Sequence, residues 1–120
     1  MPKTIAVIDD DTAVREATRG LLRSLGYEAC AFASAEDFLD SGDINQISCV
    51  VTDVRMPGMG GVALQARLIN DGRRIPIIFI TAFPEERVKE QVLAAGAGCF
   101  LIKPYQEGSL VKCIESALAA

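Results

Sequence analysis

Five apolar runs of strand length recur along this chain, each followed by a segment with helical spacing, and that alternation leaves few folds open. The runs are TIAVI at 4–8, YEACAF at 27–32, CVVTD at 49–53, PIIFIT at 76–81 and CFLI at 99–102. They read as continuous apolar stretches, which is what strands covered on both faces require. Between them, Val14, Ala17, Leu21 and Leu25 recur at three- and four-residue spacing and predict a first helix, stopped by Gly26. Ser34 with Asp37 fits a capping box and starts a short second helix. After the glycine-rich PGMGG, Val62, Leu64, Leu68 and Ile69 mark a third. Pro84 opens a fourth, carrying Val88, Val92 and Leu93 and ended by Gly96. Residues 107–119 give the last, with Leu110, Ile114, Ala117 and Leu118 inward.

Five strand–helix units in 120 residues are too few for a closed eight-unit barrel. They predict an α/β fold: a doubly wound, five-stranded parallel sheet with helices on both faces. Residues 1–120 form one domain on this reading, and a linker could begin at 118–120.

Composition removes several functions. The net charge is −4 and no Lys/Arg stripe is present, which argues against nucleic-acid binding by this domain. The adjacent Arg73 and Arg74 read as a solvated turn. With no histidine, imidazole acid–base catalysis, histidine metal ligation and phosphohistidine chemistry within the chain are excluded. The four cysteines, at 30, 49, 99 and 113, form no CxxC pair, sit among apolar residues and are expected to be reduced core thiols. No signal peptide and no run of 18 apolar residues is present, so a cytoplasmic location without membrane association is expected.

The first run ends in three carboxylates, Asp9, Asp10 and Asp11, which repel one another. In a doubly wound sheet, ligands bind beyond the carboxyl ends of the strands. Asp9 and Asp10 end the first strand, Asp53 the third, Thr81 the fourth, and Lys103 follows the fifth. Parallel strands bring all five to one edge. Taken singly, Lys103 is a turn lysine, Thr81 a helix cap and Asp11 a residue of the first helical turn favoured by the dipole. Together they form a constellation. Asp10 and Asp53 suit a hard divalent cation such as Mg2+, with Asp9 placed to order its waters. The backbone carbonyl of Arg55 could turn back toward the same cation. Lys103 and Thr81 are superfluous to a cation alone, but both serve a transferred phosphoryl group. Asp53 is the candidate nucleophile, because the glycines after it leave an open backbone beside it.

The stretches VIDDD, VTDVRMPGMGG, FITA and FLIKPY resemble the receiver domain of two-component response regulators, over essentially the whole chain. The arginine and the Met–Pro pair after Asp53 look most like the receivers of nitrogen-fixation transcription regulators, which carry a carboxyl-terminal helix-turn-helix. The resemblance implies a flavodoxin-like strand order of 2-1-3-4-5. It also implies Asp53 as phosphoacceptor, and Asp9 and Asp10 as its acidic pair with Asp10 ligating Mg2+. The Arg55 backbone would be a further ligand, Thr81 the switch hydroxyl, Phe100 the switch aromatic and Lys103 the site lysine, followed by a cis bond to Pro104. Phe100 has no hydroxyl, so a switch that needs a hydrogen bond from that group is closed to this chain.

The resemblance implies a signalling role. A partner sensor histidine kinase donates the phosphoryl group, and the domain catalyses its own modification without turning over an external substrate. The surface of the fourth helix, fifth strand and fifth helix then carries the output, with Tyr105 its best exposed interface candidate. Phosphorylation would drive a homodimer, or act on a DNA-binding domain beyond this one. Other readings remain: a stand-alone phosphorelay or docking receiver, a haloacid-dehalogenase-like phosphatase, and a flavodoxin-like electron carrier. The phosphatase reading expects a D-x-D nucleophile on the first strand. The flavin reading expects a Ser/Thr-rich loop where the three carboxylates stand.

Overall fold

The computed structural model describes residues 2–119. The element order is β1 (Thr4–Ile8), α1 (Thr12–Ser24), β2 (Glu28–Phe32), α2 (Ala35–Asp40), a 3-10 turn (Ile44–Gln46), β3 (Cys49–Asp53), α3 (Gly61–Asn70), β4 (Ile77–Thr81), α4 (Glu86–Ala94), β5 (Cys99–Ile102) and α5 (Glu107–Ala119). The five strands form one sheet in the order β2-β1-β3-β4-β5, and every pairing is parallel. The sheet is the doubly wound one that the strand–helix alternation predicts, in the flavodoxin-like order that the resemblance implies.

Side chains alternate across the sheet and build two cores. On one face Ala6, Ile8, Val50, Ile77 and Phe79 pack with Phe38 of α2, Leu64 and Leu68 of α3, and Val92 of α4. On the other, Ile5, Val7, Val51, Ile78 and Ile80 pack with Leu22 of α1 and with Leu110 and Ile114 of α5. Burial on both faces explains why the strands read as unbroken apolar runs.

Local capping follows the chain closely. Ser34 accepts a hydrogen bond from the Asp37 N–H at 3.0 Å and starts α2. Asp11 is the N-cap of α1 and accepts from the Val14 N–H at 3.1 Å. It therefore precedes the first turn instead of lying inside it, which an extended backbone at Asp11 permits. Gly26 ends α1 at φ +92°, a conformation that favours glycine.

Several expectations are corrected. The apolar face of α1 is turned by one residue: Thr18 and Leu22 are buried, while Ala17 and Leu25 are exposed. The Leu21–Leu22 doublet fits either phase, and packing against β1 and β2 selects Leu22. Ile69 and Leu93, among the residues that mark the third and fourth helices in the sequence, are exposed on α3 and α4. The fourth helix starts at Glu86, two residues after Pro84. The cysteines are not all reduced. Cys99 and Cys113 are disulfide-bonded with Cα atoms 6.0 Å apart, and only Cys30 and Cys49 are free. The pair lie fourteen positions apart in sequence, but β5 and α5 fold back against each other and place them face to face. Of the expected linker start at 118–120, Leu118 and Ala119 lie in α5, and Ala120 lies outside the described residues. Among the described residues, no helix is long and apolar enough to cross a membrane.

Candidate functional site at the carboxyl edge of the sheet

The parallel register sets the site. Asp53 pairs with Ile80, and Thr81 with Ile102, so the ends of β3, β4 and β5 lie at one edge. β1 ends beside them, with Ile8 opposite Thr52. Backbone bonds extend the ladder past the strands: the Val54 N–H donates to Ile80 O at 3.0 Å, and the Lys103 N–H to Thr81 O at 2.8 Å. The Lys103–Pro104 peptide bond is cis.

Three charged side chains meet directly. Lys103 Nζ lies 3.0 Å from Asp53 Oδ2 and 3.5 Å from Asp9 Oδ2. Asp9 is buried, and its Oδ1 accepts the Asp11 N–H at 2.9 Å. Burial pushes the Asp9 carboxyl above its ordinary value. The Asp53 charge adds to that rise, against the Asp11 N–H and the Lys103 ammonium. For Lys103, burial favours the neutral amine. The hydrogen bond to Asp53 and the charges of Asp9 and Asp53 outweigh it, and the pKa stands above that of a free lysine. The lysine is thus a held cation, shared by two carboxylates.

The other expected residues surround this trio. Asp10 is exposed at the same edge, next to Asp9. Thr81 is fully buried, and its Oγ1 accepts the Phe83 N–H at 3.1 Å. As a hydroxyl it keeps one proton to donate. Phe100 is partly buried and sits opposite Phe79 on the α4 face of the sheet, the face that Thr81 also occupies by alternation. The Arg55 N–H donates to Asp53 Oδ1 at 3.1 Å. Its guanidinium turns away from Asp53 and pairs with Glu85, the N-cap residue of α4. Tyr105, expected to be exposed, is half-buried against the α1–α5 core, with Thr18 beside its hydroxyl; burial raises its pKa.

The loop after Asp53 is shaped by two glycines. Gly58 adopts φ +75°. Gly61, the first residue of α3, comes so close that an added Cβ would lie 2.5 Å from Asp53 O and 3.0 Å from the Phe79 ring. The loop is also tied to α2, where Glu36 Oε2 accepts the Met59 N–H at 3.1 Å. Glu36 and Glu85 were not anticipated as supports of the site. In the chain they read only as acidic residues near helix starts, and nothing in their spacing points to the loop each one holds.

Among the described residues, no three acidic, histidine or cysteine side chains converge as a ready cage for a cation. The donors present still fit a hard cation. Asp9 and Asp53 are close, oxygen-bearing and partly desolvated, and Asp10 adjoins Asp9 in the chain. Mg2+ keeps several waters and needs only one or two carboxylates.

An acidic pocket that holds a lysine, at the carboxyl edge of a 2-1-3-4-5 parallel sheet, defines a class: signalling domains that accept a phosphoryl group on an aspartate. The chain belongs to the response regulator receiver domain family, which matches residues 5–115, and is a phosphoacceptor domain of a two-component system. It is 39% identical over 116 residues to the transcriptional regulatory protein TdiR of Thauera aromatica, covering 97% of this chain and 51% of TdiR. It is 38% identical over 114 residues to the transcriptional regulatory protein FixJ of Bradyrhizobium diazoefficiens, covering 95% of this chain and 56% of FixJ. Among solved structures, the response regulator StyR superposes with a TM-score of 0.91 at 43% identity, over 99% of this chain and 60% of that one. The chain spans about half the length of the curated relatives it matches.

Proposed function

We propose that Asp53 takes a phosphoryl group from the phosphohistidine of a partner sensor kinase, and that the domain itself catalyses the transfer. The observation that carries this reading is the contact of Lys103 with both Asp53 and Asp9 at the strand ends. An Asp53 oxygen attacks phosphorus, and the donor's nitrogen leaves. Lys103 Nζ then passes from the Asp53 carboxylate to a phosphoryl oxygen. The Thr81 hydroxyl and the N–H groups of the following loop donate to the others. Asp9, Asp10, Asp53 and the Arg55 carbonyl would hold Mg2+, which supplies charge neutralisation at the phosphoryl oxygens.

The new group adds nearly two negative charges and three acceptor oxygens. Thr81 moves toward them and gives up volume on the α4 face, and Phe100 turns into it. A packed core passes between discrete arrangements, so the α4–β5–α5 surface changes with these two side chains. That surface bears exposed Leu93 and Ile102, with Tyr105 at its margin, and is the site of homodimer formation or of contact with an output domain. The names of the relatives, two of them transcriptional regulators, support control of transcription as the output. With a net charge of −4, the domain leaves DNA contact to another part of the protein. The cytoplasm, where sensor kinases present phosphohistidine, is its place of action.

Intact mass after incubation with acetyl phosphate and Mg2+ tests the reading. The expected result is a single phosphoryl adduct on the wild type and none on Asp53→Asn. Equal labelling of the two proteins would overturn the assignment.

A further inference from the structure

Cys99 and Cys113 close a loop that contains Phe100, Lys103 and Tyr105, the residues on which the α5 side of the site depends. Cys99 opens β5, and Cys113 lies in the middle of α5; both face the α1–α5 core. Their Cα separation of 6.0 Å lies within the span a disulfide bridges. The remaining thiols do not compete for the bond. Cys30 stands on β2, at the opposite edge of the sheet from β5. Cys49 is fully buried, and burial pushes its thiol up to about 12, so it keeps its proton and is a poor nucleophile.

The domain has an apolar core on each face of its sheet, so a bridge is not needed to hold the fold. Disulfides that serve stability belong to small secreted domains and oxidising compartments; those in reducing ones respond to redox conditions. We propose that Cys99 and Cys113 are a reversible disulfide site, oxidised by exchange with a small-molecule disulfide such as oxidised glutathione, and that the bond pins α5 to β5 and restrains the output surface. The effect on signalling rests on the phosphoacceptor reading; the chemistry of the bond does not.

The exchange has two steps. Cys99, the more accessible of the two, attacks the small disulfide as its thiolate, forming a mixed disulfide and releasing one small thiol. The Cys113 thiolate then attacks the Cys99 sulfur and releases the second. Two protein thiols lose two electrons and two protons, and one small disulfide becomes two thiols.

The test begins with fully reduced protein incubated with oxidised glutathione. Remaining thiols are alkylated in denaturant and the digest is mapped. Two of the four cysteines should escape alkylation, recovered as a peptide containing Cys99 linked to one containing Cys113 and released by dithiothreitol. The oxidised form should melt on the order of 10 °C higher, because the closed loop restricts the unfolded chain. Alkylation of all four cysteines, or glutathione retained on Cys99, would overturn the site. Reduced and oxidised proteins are then loaded with acetyl phosphate, and hydrogen exchange is followed through residues 107–119. The phosphorylation-dependent change should be at least threefold smaller in the oxidised protein, and indifferent to oxidant in Cys99→Ser. An equal change in both redox states defeats the restraint. Absence of phosphoryl uptake in both states counts instead against the phosphoacceptor reading, with the linked-peptide map deciding the bridge.

Discussion

Lys103 Nζ stands 3.0 Å from Asp53 Oδ2, a contact made between residues fifty positions apart. It joins the end of β3 to the loop after β5, with Asp9 of the β1 end as a second acceptor. Without the ammonium, Asp9 and Asp53 would face each other across a partly desolvated gap. Lys103→Ala should therefore destabilise the metal-free domain by about 1–3 kcal/mol in urea unfolding. Labelling by acetyl phosphate should fall at least as far as the loss of one preorganised charge implies, on the order of 100-fold.

Asp9 predicts a pH dependence. Its folded-state pKa is raised, chiefly by burial, so the native state binds the proton more tightly than the unfolded chain does. For this group, stability is greatest below the ordinary carboxylate range and is lost as pH rises through the raised folded value. Asp9→Asn, which carries no charge to bury, should melt a few degrees higher than wild type at neutral pH without metal. The gap should close on acidification. Calorimetry across pH 3 to about 8 checks the sign.

The strands were legible because burial on both faces forces continuous apolar runs, and parallel runs put their ends together. That alone brings Asp9, Asp53, Thr81 and Lys103 to one edge. The strand order came only with the resemblance to receiver domains. Helix phase was less legible: Leu21 and Leu22 fit two faces equally, and only packing chooses. The half-burial of Tyr105 was not legible, because an aromatic after a proline carries no local sign of which core it covers. The Cys99–Cys113 bond could not be read at all, since a separation of fourteen residues becomes adjacency only once β5 and α5 are folded together. The pairing of Arg55 with Glu85 was hidden for the same reason.

Cation binding should be visible without any phosphoryl donor. At a Mg2+ concentration 100 times its dissociation constant, the native state gains about 2.7 kcal/mol. A thermal shift that tracks Mg2+ in the wild type, reverses with EDTA and is lost in Asp53→Asn is the expected result. The same chelation should abolish labelling by acetyl phosphate.

Thr81→Ala separates chemistry from response. If the buried hydroxyl is one of several donors to the phosphoryl group, as proposed, labelling should slow by on the order of 10- to 100-fold without disappearing. The turn of Phe100 should be lost, because the methyl group makes no hydrogen bond that would draw residue 81 forward. Fluorine NMR on fluorophenylalanine at position 100, with and without beryllofluoride, reads this directly.

Gly61→Ala should cost about 2–3 kcal/mol, since the added methyl meets the Asp53 carbonyl oxygen and the Phe79 ring with no room to yield. Urea unfolding checks the loss.

That same absence of space at Gly61 decides which wall of the cleft is free to travel. On the acceptor side, the first turn of α3 is wedged against the backbone of β3, and Glu36 grips the loop from behind. On the opposite side, α4 buries only Val92 and Phe83 stands in solvent just ahead of it, while the N-cap residue Glu85 ties the start of the helix to Arg55. The cleft thus has one wedged wall and one lightly packed wall, joined where Arg55 meets Glu85.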